Sequence, residues 1–175
     1  MNNYRQQVES LSNPSFDQIH QIAKSNCGSQ CPCRPWSVLN HGVDLLDTHE
    51  KLCKYLCAYG KIHEEKLKDA FMAVNRDQEL YNQEISIVDW GCGQGVASIC
   101  FFDYLKNNNL PNNVKKVILI EPSVMALDRA KLHVNSYLKN QTKIAIYQKY
   151  LDDVTVEDLY THTPIVLHFF SNILD

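Results

Sequence analysis

The sequence predicts an α/β fold, a parallel sheet with helices on its faces, preceded by an all-helical N-terminal segment. Two observations carry this. From Ile85 onward, short apolar runs alternate with stretches of helical spacing, the grammar of strand–helix–strand crossovers in a parallel sheet. Before Ile85, apolar residues recur at helical intervals and turn signals separate them. The chain therefore divides into a helical segment, residues 1–83, and an α/β unit, residues 84–175.

Each element has its own local signal. Ser15 followed by Gln18 is a capping box that opens a helix over residues 16–24. Residues 27–35, rich in cysteine, glycine and proline, form a loop. Asp47 followed by Glu50 opens a second helix, running through Ala58, which Gly60 is expected to end. Ile62, Leu67, Ala70, Phe71 and Val74 give a third amphipathic stretch. The first strand is Ile85–Trp90, and Val96, Ile99, Cys100, Phe102 and Leu105 then space out a helix over residues 96–106. Asn107, Asn108, Asn109, Pro111, Asn112 and Asn113 make an exposed turn. Val114–Ile120 is the second strand, and Ser123 caps a helix through Leu138. A third strand, Lys143–Tyr147, a short helix over residues 156–160 and a fourth strand over residues 165–170 complete the series.

Composition bounds the function. A chain of 175 residues with 45% hydrophobic residues is sized for one domain, or one domain with an appendage. A net charge of −3 offers no broad basic face, so nucleic-acid binding is not favoured. No apolar run approaches the roughly 18 residues of a membrane span, and Met1-Asn2-Asn3-Tyr4-Arg5 opens no leader. A cytoplasmic protein with no membrane partner is the expectation, its seven cysteines held as reduced thiols.

The chemistry concentrates where the first strand ends. Asp89 is followed by Gly91, Gly93 and Gly95 at alternate positions, and the second strand closes on Glu121. Glycine permits positive φ and close approach of a ligand to the backbone. The amides opening the following helix suit an anionic group, and a carboxylate at the end of the next strand faces the crevice where open α/β sheets bind ligands. Such a carboxylate accepts from both hydroxyls of a ribose. The dinucleotide fingerprint G-x-G-x-x-G is not met: its last position falls on Val96 or Ser98.

Asp89-x-Gly91-x-Gly93-x-Gly95 resembles motif I of the class I, Rossmann-like, S-adenosylmethionine-dependent methyltransferases, and Val117 to Ser123 resembles the acidic strand that follows it there. The resemblance implies S-adenosyl-L-methionine as cofactor, with its methionine part at Gly91, Cys92, Gly93 and Gly95. It implies the ammonium group at Asp89, and the ribose at Glu121 beside Pro122. In that family an acid after the third strand takes the adenine amino group; Tyr150 occupies the usual position here, and Asp152 is the nearest choice, against the plainer reading of a solvated loop acid. The stretch from His168 to Asp175, with Ser171 at its centre, stands where the family keeps its fourth, substrate-facing motif. Ser171-Asn172-Ile173-Leu174 replaces the N-P-P-[YFW] of enzymes that methylate adenine in nucleic acid, so a small-molecule or protein acceptor is favoured. The likeness covers residues 85–175, the first four strands of a seven-stranded sheet, which implies a fragment completed by further residues or by a partner.

Other residues carry weaker signals. Tyr59, Lys61 and His63 stand where a helix often lids the cofactor in this fold, against the plainer reading of a solvated helical face. Cys27, Cys31 and Cys33, with Cys53 and Cys57, include thiolate-bearing residues, but C-x3-C-x-C is not a recognised zinc spacing, and no metal is expected. Three functions follow in order: methyl transfer, with no catalytic residue assignable; a non-catalytic cofactor-binding sensor or scaffold; and a dinucleotide-dependent oxidoreductase.

Overall fold

The structure, a computed structural model, describes residues 2–28, 39–42, 45–74, 78–138 and 142–171. Its elements run α1 (Asn2–Glu9), α2 (Phe16–Ser25), the single turn α3 (Leu39–Gly42), α4 (His49–Val74), β1 (Ile85–Trp90), α5 (Val96–Asn107), β2 (Val114–Ile120), α6 (Val124–Tyr137), β3 (Lys143–Tyr147) and β4 (Ile165–Phe169). The fold is α/β: a Rossmann-like, four-stranded, all-parallel sheet in the order β3-β2-β1-β4, with helices before it and between its strands. The chain builds outward from β1 to β2 and β3, then returns past β1 to lay down β4. That reversal puts the topological switch point between the carboxyl ends of β1 and β4, next to the glycine turn.

The two faces of the sheet are unequal. Ile85, Ile87, Val117 and Leu119 face α5, α6 and the N-terminal helices in one core cluster that runs back to Tyr4, Val8 and Phe16. Helix α5 is buried on every side from Val96 to Leu105, because the sheet covers one face and α2 and α4 the other. This explains its lack of a polar stripe. On the opposite face Val88, Ile118 and Ile120 are covered by Val154 and Leu159, from an irregular segment with 3-10 turns at Leu151–Asp153 and Glu157–Leu159. The helix expected over residues 156–160 is thus one 3-10 turn.

The N-terminal segment departs from expectation in three ways. Helix α1 carried no strong signal, yet Tyr4 and Val8, one turn apart, are buried at 2% and 0% exposure. The second and third expected helices are one 26-residue helix, α4. Its cap is Thr48, whose Oγ1 accepts from Lys51 N at 3.1 Å; Asp47 pairs with the Lys51 side chain at 2.8 Å instead. Gly60 ends nothing. A Cβ there would lie 3.0 Å from Leu56 Cδ1 and 3.2 Å from Phe16 Cζ, so the glycine admits the α2 ring against α4. Asp103 on α5 anchors the same crossing by accepting from Phe16 N, an amide in the first turn of α2, at 2.7 Å. Gly60→Val is therefore expected to destabilise the chain by about 1–3 kcal/mol through overpacking, although any side chain gains helix propensity over glycine. Urea denaturation reads the sign.

Candidate functional site

The turn after β1 uses three left-handed residues in five: φ is 53° at Gly91, 51° at Gly93 and 75° at Gly95. A side chain in that region costs roughly 1–2 kcal/mol per residue. The glycines do different work. A Cβ on Gly95 would lie 3.3 Å from Ala130 Cα and Cβ, so this glycine lets the turn pack on α6. A Cβ on Gly93 would meet nothing within 4 Å, which leaves that side of the turn open. Cys92 N donates to Ile120 O at 2.9 Å and ties the turn to the end of β2.

Support comes from the N-terminal helices. Gln94 Nε2 donates to Leu52 O at 2.9 Å, and His133 Nδ1 donates to Gln94 O at 2.8 Å. Because a carbonyl only accepts, the His133 proton sits on Nδ1, and Nε2 accepts from the Tyr4 hydroxyl at 2.8 Å. Burial and the nearby Arg129 charge push this histidine down to about 3, so it stays neutral.

Both acids of the sequence motif lie at this turn. Gly95, the cap of α5, offers no side chain, and Asp89 takes its place: Oδ2 accepts from Ser98 N at 3.3 Å and from Ser98 Oγ at 2.6 Å. Asp89 is 1% exposed, and its Oδ1 is buried without a hydrogen-bond partner. Burial raises its carboxyl to about 7, the Ser98 bonds opposing and the Glu121 charge adding to the rise. Glu121 bridges two backbone amides, Oε2 accepting from Gly93 N and Oε1 from Ser123 N, each at 3.0 Å. Burial raises Glu121 too, against the pull of those two amides. Each Glu121 oxygen keeps a lone pair for a further donor. Two carboxyls that repel each other, one with an orphaned oxygen, favour a ligand that brings hydroxyl donors and positive charge.

The structure gathers Asp89, Gly91, Cys92, Gly93, Gly95, Glu121 and Pro122 around one turn. Pro122 contributes backbone, its carbonyl accepting from Gln148 Nε2 at 3.3 Å. Asp152 sits exposed on the Leu151–Asp153 turn that follows β3. Ser171 follows β4 and lines an apolar cavity of about 410 Å³ with Phe169, Phe170 and Phe71. Residues 172–175 of the fourth motif lie outside the described residues, as do Cys31 and Cys33. Cys27 and Cys53 are buried and Cys57 is half-buried, and among the described residues no three His, Cys, Asp or Glu side chains are grouped to hold a metal ion.

Of the expected lid residues, Lys61 is bonded to the exposed Asp17 and, at 2.7 Å, to Glu64, which is buried, so the face is only partly solvated. Tyr59 and His63 instead form a ladder with Tyr55, whose hydroxyl lies 3.1 Å from His63 Nε2. Burial raises the Tyr55 phenol to about 12, with smaller contributions from Tyr59 and the Glu121 carboxylate. Tyr55 is the member of α4 that senses Glu121, and sequence reasoning passed over it. Its signal was the aromatic repeat 55, 59, 63 at one-turn spacing.

Fold and site together define a Rossmann-like α/β chain with an acid-flanked glycine turn at its switch point. No family model matches the chain, and no curated protein matches it either. Among the described residues, no helix is long and apolar enough to cross a membrane.

Proposed function

We propose that the chain binds S-adenosyl-L-methionine at the glycine turn and serves methyl transfer to a small-molecule or protein acceptor. The observation that carries the reading is Glu121, held by the Gly93 and Ser123 amides at the end of β2 above a buried Asp89 with one unpartnered oxygen. Glu121 would take the ribose hydroxyls and Asp89 the ammonium group, with the open side of Gly93 against the methionine part. When bound, the cofactor supplies an electrophilic methyl group on a sulfonium. The chain's own contribution is to orient and to exclude water, and alignment of this kind supplies roughly 7–11 kcal/mol. Glu121 is held by two backbone amides and Asp89 by Ser98, and in this reading both acids face the cofactor, so neither serves as a base for an acceptor.

That last point favours a second reading, cofactor binding without transfer, as in a sensor or scaffold. Parallel calorimetric titration with S-adenosylmethionine, S-adenosylhomocysteine and NAD tests the cofactor. Saturable binding of the first two alone is expected; binding of NAD alone would replace the reading with a dinucleotide one. Transfer of a labelled methyl group to an acceptor then separates the enzyme from the scaffold.

A further inference from the structure

Away from the glycine turn, the junction of α1, α4 and α6 buries a positive charge that no carboxylate among the described residues pairs with. Arg129 is 5% exposed. Its Nη2 donates to His49 Nδ1, its Nη1 donates to Cys53 Sγ at 3.7 Å, and its Cζ lies 3.7 Å above the Tyr4 ring. A guanidinium has only donors, so His49 Nδ1 is the acceptor and carries no proton. Burial first, and the Arg129 charge second, push this histidine further toward its neutral form. Of the described partners of Arg129, His49 is thus an uncharged acceptor, Cys53 offers its sulfur and Tyr4 a ring face. Among the described residues no carboxylate lies within ion-pair distance of it. Such groups do not return the hydration that a full charge loses on burial, and buried arginines are ordinarily paired with an acid.

Arg129 also lines a cavity of about 210 Å³, together with Tyr4, Arg5, His49 and the apolar Leu52 and Leu132. Arg5 brings a second cation, exposed and bonded to Glu9 at 3.3 Å. One acid, the exposed Asp128, lines the cavity as well. Water filling the cavity would complete hydrogen bonds and leave the charge uncompensated.

We propose that this cavity binds a small oxyanion, a phosphate or carboxylate group, anchored by the buried Arg129 with Arg5 as the second cation. The fork of a guanidinium matches the spacing of two oxygens on either group. The site shares no lining residue with the glycine turn, and it stands whether or not the cofactor reading does.

The test is calorimetry and thermal melting of the whole chain with inorganic phosphate, and in a separate arm acetate, against chloride at matched ionic strength. Saturable binding and a rise in melting temperature are expected with at least one of the two, and the stronger names the natural group. Arg129→Met should erase the response, while Glu121→Ala should leave it unchanged. Arg5→Ala should weaken binding and Asp128→Asn should tighten it, each by about three- to fivefold, the scale of one exposed charge. These two surface variants carry the test if Arg129→Met does not fold. No saturable response in the unaltered chain, an undiminished response in Arg129→Met, or no opposite shifts in the surface pair would overturn the proposal.

Discussion

Glu121→Ala is expected to weaken S-adenosylmethionine binding by about 1.5–3 kcal/mol, roughly a ten- to hundredfold rise in Kd, the scale of hydrogen bonds to a charged group. The loss has two sources. The ribose hydroxyls lose their acceptors, and the amides of Gly93 and Ser123 lose the carboxylate that links them. Glu121→Gln separates the two, because it retains an acceptor oxygen but cannot accept on both sides. Its Kd should fall between those of the parent and the alanine variant. Gly93→Val attacks the same place from the turn side, placing a branched side chain at φ 51° on the open side. Calorimetry should find no measurable binding in that variant. Unchanged affinity in both Glu121→Ala and Gly93→Val would remove the site assignment.

Asp89 makes the second large effect a function of pH. Burial lifts its folded-state carboxyl to about 7, above the ordinary carboxyl value of 3.8. Between those values the folded chain keeps a proton that the unfolded chain releases, so stability falls as pH rises from about 4 to about 7 and levels off above. Asp89→Asn keeps an acceptor for Ser98 and removes the titration. It is expected to flatten that slope and to gain on the order of 2–4 kcal/mol at pH 8 in the absence of ligand. Ligand binding should move the opposite way. A cationic group at Oδ1 selects the ionised acid, so affinity should climb toward pH 7 with release of a proton, and Asp89→Asn should lose both the affinity and the slope. Titration in buffers of different ionisation heat measures the proton directly. Affinity that is flat from pH 5.5 to 8 would mean that Asp89 only caps α5.

The α/β half was legible because its signals are local. Apolar runs bounded by Gly91, Asn113, Glu121 and Thr142 fix the bounds of the strands, and Ser123 caps α6 through Ala126 N as its position implies. The helical half was less so, because its decisive contacts are distant in sequence. Nothing near Gly60 states that Phe16 crosses there, so a helix-stop reading of glycine was the local choice, and the close approach is a tertiary one. Helix α1 is polar at six of its eight positions and shows its purpose only through Tyr4 and Val8. In the site, Asp89, the glycines and Glu121 were readable as a motif. The roles of Tyr4, Gln94, Arg129 and His133 were not, since each depends on a partner dozens of residues away. Asp152 was chosen by distance from a strand end, and it lies on the exposed 3-10 turn that follows β3.

The hydrogen bond from Tyr4 to His133 spans 129 residues. During synthesis at about 5–20 residues per second, the first helix leaves the ribosome on the order of ten seconds before the histidine that its hydroxyl will meet. Through that interval Tyr4 and Val8 have no core to enter. The glycine turn, complete some forty residues earlier than His133, likewise waits for its prop. The nascent chain thus passes through a stage in which the strand-and-turn motif exists without the frame that holds it, a stage suited to capture by chaperones.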